Sequence, residues 1–196
     1  MSPFRKASQR IREYDNLVQI GEIGRRYFVM NAYEGVLTII GVLMGNLIAG
    51  VDDPRIVVST GMATCIAMGV SGLWGACLTE AAERKRALVE LGHHTLTDLG
   101  ETRIGRASRV AVVAVALIDG FSPFLAALIV LIPFFAVGLF PSIISVYCTS
   151  LGIALLTLFG LGLFLGYISH GNLISYGVKT VVAGAISISI SFLLGD

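Results

Sequence analysis

The sequence predicts an all-α, polytopic membrane protein with five transmembrane helices. Of its 196 residues, 55% are hydrophobic and only 14% are charged, and the mean hydropathy is +0.83. Soluble domains carry roughly 25% charged residues. Charged residues are also absent from 56–79 and from 120–178. Because a helix needs about 20 mostly apolar residues to cross a bilayer, the first stretch holds one span. The second holds the remainder of one span and the whole of another.

Each predicted helix is an apolar run that ends where Pro, Gly and charged residues gather. The interruptions are VDDPR, the polar segment 80–109, GLFPS and HGN. Because the N-terminus is polar and charged, we expect no cleavable signal peptide and a cytoplasmic segment over residues 1–26. The transmembrane domain then covers 27–196, with 80–109 as a short cytoplasmic helical segment. The predicted spans are 27–49, 56–79, 110–138, 142–169 and 174–194.

The basic residues predict the orientation of these spans. Six lie before or at the start of the first span, and six more lie within 80–109. Lys179 follows the fourth loop, and only Arg55 lies on the opposite side. Because basic residues accumulate in cytoplasmic loops, we expect the N-terminus inside and the C-terminus outside. The basic clusters are topology signals next to anionic lipid, and the net charge of +1 gives no indication of a nucleic-acid partner.

Two carboxylates lie inside predicted spans. Glu34 is about two turns into the first span, and Asp119 is nearly three turns into the third. A charged side chain at mid-membrane costs about 2.5–3.5 kcal/mol on insertion scales, so such residues usually face a bundle interior or an aqueous path. Both spans run from inside to outside, which predicts similar depths. The two acids would repel unless a proton or cation lies between them. Alternatively, each serves packing, or Asp119 caps or kinks its helix.

Two methionines add soft ligands to this picture. Met44 follows Glu34 on the same helix, and Met68 lies in the middle of the second span. Thioethers suit soft or borderline metals, whereas carboxylates suit hard or borderline ones. The combination favours a first-row divalent ion such as Fe²⁺ or Mn²⁺. The alternative is that both methionines only fill the core.

The polar segment after the second span carries an acidic stripe, defined as Glu80, Glu83, Glu90 and His94. If the helix continues, these four side chains fall within an arc of roughly 80°, while Arg84, Lys85 and Arg86 point elsewhere. Such a stripe would gather a divalent cation at the cytoplasmic side. The alternative is a solvated helical hairpin with ordinary ion pairs, in which Gly92 breaks the helix before His94.

Small residues indicate where helices approach each other. Gly41 and Gly45 form a GxxxG pair above Glu34, and Gly162 and Gly166 form another in the fourth span. Such pairs allow close backbone contact within one chain or across a dimer. The three cysteines fit neither a disulfide framework nor a structural zinc site, and are expected to be packing residues.

Several of these segments resemble the vacuolar iron transporter family. EGVLTIIGVLMGNLIAG at 34–50 resembles its first helix, and AMGVSGLWGA at 67–76 resembles its second. LIPFF at 131–135 is similar to the end of its third helix, and GVKTVVAGAISISISFLLGD at 177–196 is similar to its last. The resemblance covers all five spans in order.

The resemblance implies a five-helix, two-fold homodimer that moves Fe²⁺ or Mn²⁺ out of the cytoplasm, typically against protons. Glu34 stands where the family has the first-helix Asp of its ion path, and Met68 where it has the second-helix Met. Glu80, Glu83 and Glu90 stand near the start of its cytoplasmic metal-binding region. That region is often larger and richer in Glu in the family, and Asp119 has no counterpart in the family motif.

The expected function is therefore a non-enzymatic one. We predict export of divalent metal by proton antiport, with an ion path that includes Glu34, Met44, Met68 and Asp119. The expected partners are the metal, protons, the lipid bilayer and a second copy of the chain, with no permanently bound cofactor. The alternatives are a monovalent-cation channel, a small-solute exporter, or a non-transporting scaffold or sensor. The prokaryotic plasma membrane is the expected location.

Overall fold

The fold is all-α in a computed structural model that describes residues 20–96 and 99–195. Five helices in the described part are long and apolar enough to cross a membrane, which confirms the predicted class of an integral membrane protein. Residues 1–19 of the predicted N-terminal segment 1–26 lie outside the described residues. The helices are α1 (Ile20–Ile48), α2 (Pro54–Thr95), α3 (Arg103–Phe135), α4 (Ile143–Ile168) and α5 (Leu173–Leu194).

The second helix differs most from its predicted span. It has 42 residues and continues without a break from Pro54 to Thr95. At 1.5 Å per residue its length is about 63 Å, roughly twice the hydrocarbon thickness of a bilayer. The alternative in which Gly92 breaks the helix before His94 is therefore wrong. One glycine costs a helix only about 1 kcal/mol relative to alanine, which the good helix formers around Gly92 outweigh.

The third helix contains two prolines and ends earlier than predicted. Pro123 and Pro133 lie inside α3, which stops at Phe135 and is followed by a short 3₁₀ turn at Val137–Leu139. A proline lacks the N–H that would bond to the preceding turn, so each one weakens the helix locally. The predicted end at residue 138 therefore falls within the 3₁₀ turn.

Side-chain caps fix the starts of the last two helices. The Ser142 hydroxyl accepts a hydrogen bond from the Ser145 amide at 3.3 Å, and Asn172 Oδ1 accepts one from the Ser175 amide at 3.2 Å. Each cap satisfies an amide that has no partner within its helix. These caps explain why α4 and α5 begin directly after the GLFPS and HGN segments.

The chain forms two compact units. Of the described residues, those in 20–28 and 70–121 form the first unit, and those in 29–69 and 122–195 form the second. The boundaries between the units fall inside α1, α2 and α3. Glu34, Met44 and Met68 belong to the second unit, whereas Asp119 and the acidic stripe belong to the first.

The second unit has a continuous apolar core. Tyr147 links its periphery to this core, because its hydroxyl donates to the Val51 carbonyl at 2.9 Å and its ring lies edge-on to Phe134, with 5.0 Å between the ring centres. The aromatic pair and the hydrogen bond together fix the connection between α1 and α2 against α4. Core residues from α1, α3 and α4 include Val36, Ile39, Ile40, Leu43, Val130, Leu131, Val146 and Leu158.

Candidate functional site

The first helix has one buried side and one open side. Val36, Ile39 and Ile40 are fully buried in the second unit, whereas Glu34, Gly41 and Gly45 are exposed. The exposed three occupy positions i, i+7 and i+11 of one helix, and helical geometry places such positions on the same side. We call this the open face of α1. The carboxylate of Glu34 therefore lies on the surface of the single chain, within a segment suited to cross a membrane.

The glycine beside Glu34 holds α1 against α3. Gly35 is buried, and a Cβ added there would lie 2.5 Å from the carbonyl oxygen of Pro123 and 2.6 Å from its Cα. Only glycine allows the two backbones to come this close. Because adjacent helical residues point about 100° apart, this contact sets the direction in which Glu34 projects. The Glu-Gly sequence thus fixes both the helix contact and the exposure of the acid.

The two predicted methionine ligands occupy different surroundings. Met68 is half-buried and packs at the edge of the apolar core. Met44 is only 3% exposed and lies inside that core, away from the open face that carries Glu34. The placement gives Met44 a packing role, and we leave it out of the proposed ion path. Met68 stays a candidate ligand.

Asp119 is buried in the first unit. Its side chain is 8% exposed, and a Cβ added at Gly72 of α2 would lie 2.7 Å from the Asp119 carbonyl oxygen. Close backbone contact at Gly72 therefore accompanies the buried acid. Asp119 and the exposed Glu34 belong to different units, so their predicted equal depth and shared cavity stay a prediction.

Glu80, the first member of the acidic stripe, is held by two neighbours. The Tyr27 hydroxyl donates to Glu80 Oε1 at 3.2 Å, and Arg84 Nε donates to Oε2 at 3.1 Å. The side chains of Glu80 and Arg84 are each only 14% exposed. The expectation that Arg84 points away from the stripe is wrong, because an i, i+4 pair lies on one helix face. Glu80 thus has a structural role that competes with metal binding.

The rest of the acidic stripe is exposed. Glu83, Glu90 and His94 all lie on the surface of α2. At 1.5 Å per residue, Glu80 and His94 are separated by about 21 Å along the helix axis, so the four side chains cannot hold one ion. No three His, Cys, Asp or Glu side chains within 20–96 and 99–195 are grouped so that they could hold a metal ion. The stripe is therefore a row of separate groups.

The two GxxxG pairs have opposite surroundings. Gly162 and Gly166 are buried against α5, where an added Cβ at Gly162 would lie 2.6 Å from the Gly177 Cα. A Cβ added at Gly41 or Gly45 would meet no atom within 4 Å. The pair in α4 is therefore used within the chain, and the pair in α1 remains open.

One polar contact in the second unit was not anticipated from the sequence. The Asn46 side-chain amide donates to the Val42 carbonyl at 2.9 Å and to Thr60 Oγ1 at 3.2 Å, which joins α1 to α2. The sequence feature that could have predicted this contact is a single amide, Asn46, within an apolar run, followed by hydroxyl residues near the start of α2. Asn46 and Thr60 thus place polar groups on the same two helices that carry Glu34 and Met68.

Comparison with known proteins finds a relative in an archaeon. The chain is 32% identical over 173 residues to an uncharacterized protein of the archaeon Methanocaldococcus jannaschii, MJ0645, covering 87% of each chain. The chain belongs to the same family as this archaeal protein. No protein-family model matches the chain. Because the match covers 87% of both members, the family shares most of this chain's length.

Proposed function

We propose that the protein transports a divalent transition metal, Fe²⁺ or Mn²⁺, out of the cytoplasm in exchange for protons. The observation that carries this proposal is the exposed Glu34 on a helix suited to cross a membrane. A carboxylate facing lipid at mid-membrane costs about 2.5–3.5 kcal/mol on insertion scales. A partner surface and a bound cation would together remove most of that cost.

A second copy of the chain is the partner that best fits the open face of α1. Gly41 and Gly45 leave this face flat, and flat small-residue faces allow two helices to approach closely in a membrane. A two-fold axis beside this face would bring the two Glu34 carboxylates towards each other. Like charges that face each other out of water repel, so the pair would need a shared proton or a divalent cation.

The need for a proton or a divalent cation between the two Glu34 carboxylates explains how metal and protons would be exchanged. Protons would occupy the Glu34 pair when no metal is present, and a divalent cation arriving from the cytoplasm would displace them. On release of the metal to the other side, the carboxylates would take up protons again. The thioether of Met68, at the edge of the core, would add a borderline-soft ligand that favours Fe²⁺ or Mn²⁺ over Ca²⁺. Asp119, a buried acid of the first unit, remains the second carboxylate that we assign to the proton exchange.

The cytoplasmic end of α2 would supply ions to this path. Glu83, Glu90 and His94 are exposed and unable to share one ion, so they would raise the local cation concentration without forming a fixed site. Glu80, which is held by Tyr27 and Arg84, would contribute less. The distribution of basic residues supports the orientation with the N-terminus inside, and the archaeal relative supports a prokaryotic plasma membrane.

Ion flux into proteoliposomes tests this proposal against its alternatives. Purified protein would be reconstituted with an interior dye for Fe²⁺ or Mn²⁺ and, in parallel, with a pH dye or under a K⁺ gradient. We expect metal flux coupled to opposite proton movement in the wild type, and loss of both in Glu34→Gln. Glu22→Gln, which removes an exposed acid of α1 outside the predicted spans and outside the acidic stripe, is the matched control and should leave the flux unchanged.

Other outcomes would favour the alternatives. Flux of K⁺ without proton movement would indicate a monovalent-cation channel. A wild-type protein that inserts and remains monodisperse but moves no ion would favour a solute exporter, a scaffold or a sensor. Metal flux in Glu34→Gln equal to that of the wild type would remove the central residue from the proposal.

A further inference from the structure

The first unit contains a groove that the proposed transport does not use. It lies between the end of α2 and the start of α3, and its volume is about 500 Å³. All the residues that line it belong to the described part of the first unit. Those that matter here are Arg84, Lys85 and Leu88 on α2, and Arg109, Val112 and Val113 on α3.

The turn before α3 is fixed by several contacts and forms one wall of this groove. The Thr102 hydroxyl donates to the Leu99 carbonyl at 2.6 Å and accepts from the Gly105 amide at 3.4 Å. Gly105 is buried, and an added Cβ would lie 2.6 Å from the Leu99 carbonyl oxygen. Arg109 donates to the Gly100 carbonyl at 3.4 Å. The turn is therefore folded back onto α3, and the groove has a defined shape.

The groove is positively charged at one end. Arg84, Lys85 and Arg109 line it, and Glu101 is the one acid in its lining. Arg84 is already paired with Glu80. Arg109 lies 3.6 Å from Glu101, but both side chains are mostly exposed, and exposed pairs of this kind contribute little. Lys85 forms no ion pair within 20–96 and 99–195. Lys85 is thus available for an anion, and an anion would compete with the exposed Glu101 for Arg109.

The other end of the groove is apolar and continues into a predicted span. Val112 is half-buried and Val113 is 57% exposed, and both lie within the predicted third span 110–138. Lys85 lies beyond the predicted end of the second span at residue 79, and Arg109 directly precedes the third. The cations thus stand at the level expected for lipid headgroups, with the valines at the level of acyl chains.

We propose that this groove binds one anionic phospholipid. The phosphate lies between Lys85 and Arg109, and an acyl chain lies along Val112 and Val113. A soluble phosphate compound would satisfy the two cations but would leave the apolar wall uncovered. A zwitterionic lipid would cover the wall, but its choline group would lie beside like charges. An anionic phospholipid complements both ends of the groove.

Native mass spectrometry of the full chain in detergent, with added phosphatidylglycerol or phosphatidylcholine, tests this assignment. We expect the wild type to retain phosphatidylglycerol at least tenfold more strongly than phosphatidylcholine. Lys85→Gln combined with Arg109→Gln should reduce phosphatidylglycerol binding by roughly thirtyfold, because each basic group near an anionic headgroup contributes about a fivefold factor. Arg86→Gln combined with Arg106→Gln removes the same charge from exposed positions outside the groove and should leave binding unchanged.

Two further experiments, a groove-filling variant and a competition with a soluble phosphate compound, distinguish between the possible explanations of a negative result. Ala81 on α2 also lines the groove. Ala81→Trp fills the groove without changing its charge and should also abolish retention, so the test remains decisive if the charge variant fails to fold. Free glycerol phosphate at millimolar concentration should not displace the lipid. Equal loss in both double variants would indicate diffuse surface charge and overturn the site. Displacement by glycerol phosphate would indicate a site for soluble phosphate compounds and overturn the lipid assignment.

Discussion

At the scale of single residues, Glu34 and Asp119 have opposite surroundings although both precede a glycine in an apolar helix. Glu34 is exposed, whereas Asp119 is 8% exposed. A buried acid affects the stability of its own chain, whereas an exposed acid in a predicted span calls for a partner or an ion. Hydropathy placed both acids inside predicted spans, but it could not show that one is exposed and the other buried. The contacts at glycines decide which side of each helix is covered, and hydropathy does not contain those contacts.

Asp119→Asn tests whether the buried acid takes part in exchange. We expect weaker divalent-metal binding and fewer protons released per metal, because one titrating group near the path would be lost. Calorimetry in buffers of different ionisation enthalpy counts those protons. Asp52→Asn, in the exposed connection between α1 and α2, should behave like the wild type. Unchanged affinity and proton count together with lower thermal stability would assign Asp119 to structure alone.

Met68→Ala tests the soft ligand. We expect Fe²⁺ transport to fall several-fold more than Mn²⁺ transport, because a thioether contributes most to the softer ion. Met62→Ala is the matched control, since Met62 is also half-buried on α2 and packs against the same core. The measurement is the initial flux rate of each ion. If both variants lose Fe²⁺ and Mn²⁺ transport to the same extent, Met68 is a packing residue.

At the scale of helices, the five spans could be predicted because the existence of a span depends only on a long apolar run bounded by turn-forming residues. The end of α2 and the use of each GxxxG pair depend on contacts that composition does not contain. Gly162 and Gly41 belong to the same sequence motif, yet one is covered by α5 and the other is open. The acidic stripe shows the same limit, because helical periodicity predicted one face but missed the pairing of Arg84 with Glu80.

A pair of alanine substitutions measures what the contact between α1 and α3 contributes. Gly35→Ala should lower the thermal unfolding temperature in detergent, because its Cβ would lie 2.5 Å from the Pro123 carbonyl oxygen and overpacking typically costs about 1–3 kcal/mol. Gly41→Ala gains the same helix propensity but meets no atom within 4 Å. Gly41→Ala should therefore be as stable as the wild type or more stable. Equal unfolding temperatures for the two variants would refute the close contact.

At the scale of the whole molecule, the open face of α1 predicts where two copies meet. In a background without Cys65, Cys77 and Cys148, we expect Gly45→Cys to form a cross-linked dimer on mild oxidation in membranes. Leu156→Cys on α4 is the control, because this position is 70% exposed but does not belong to the open face. Cross-linking at Leu156 and not at Gly45, read from non-reducing gels, would place the interface elsewhere and remove the paired carboxylates from the proposed exchange.

The glycine contact between α4 and α5 has a consequence for how the chain is made. The Thr180 hydroxyl of α5 donates to the Leu158 carbonyl of α4 at 2.8 Å, next to the contact of Gly162 with Gly177. Each helix lacks this hydrogen bond and this glycine contact when it is alone in lipid, and α4 has no charged residue at all. We therefore expect the translocation machinery to retain α4 until α5 has been synthesised and to release the two as a hairpin. A chain truncated after residue 172 would then leave α4 in the membrane as a target for quality-control proteases.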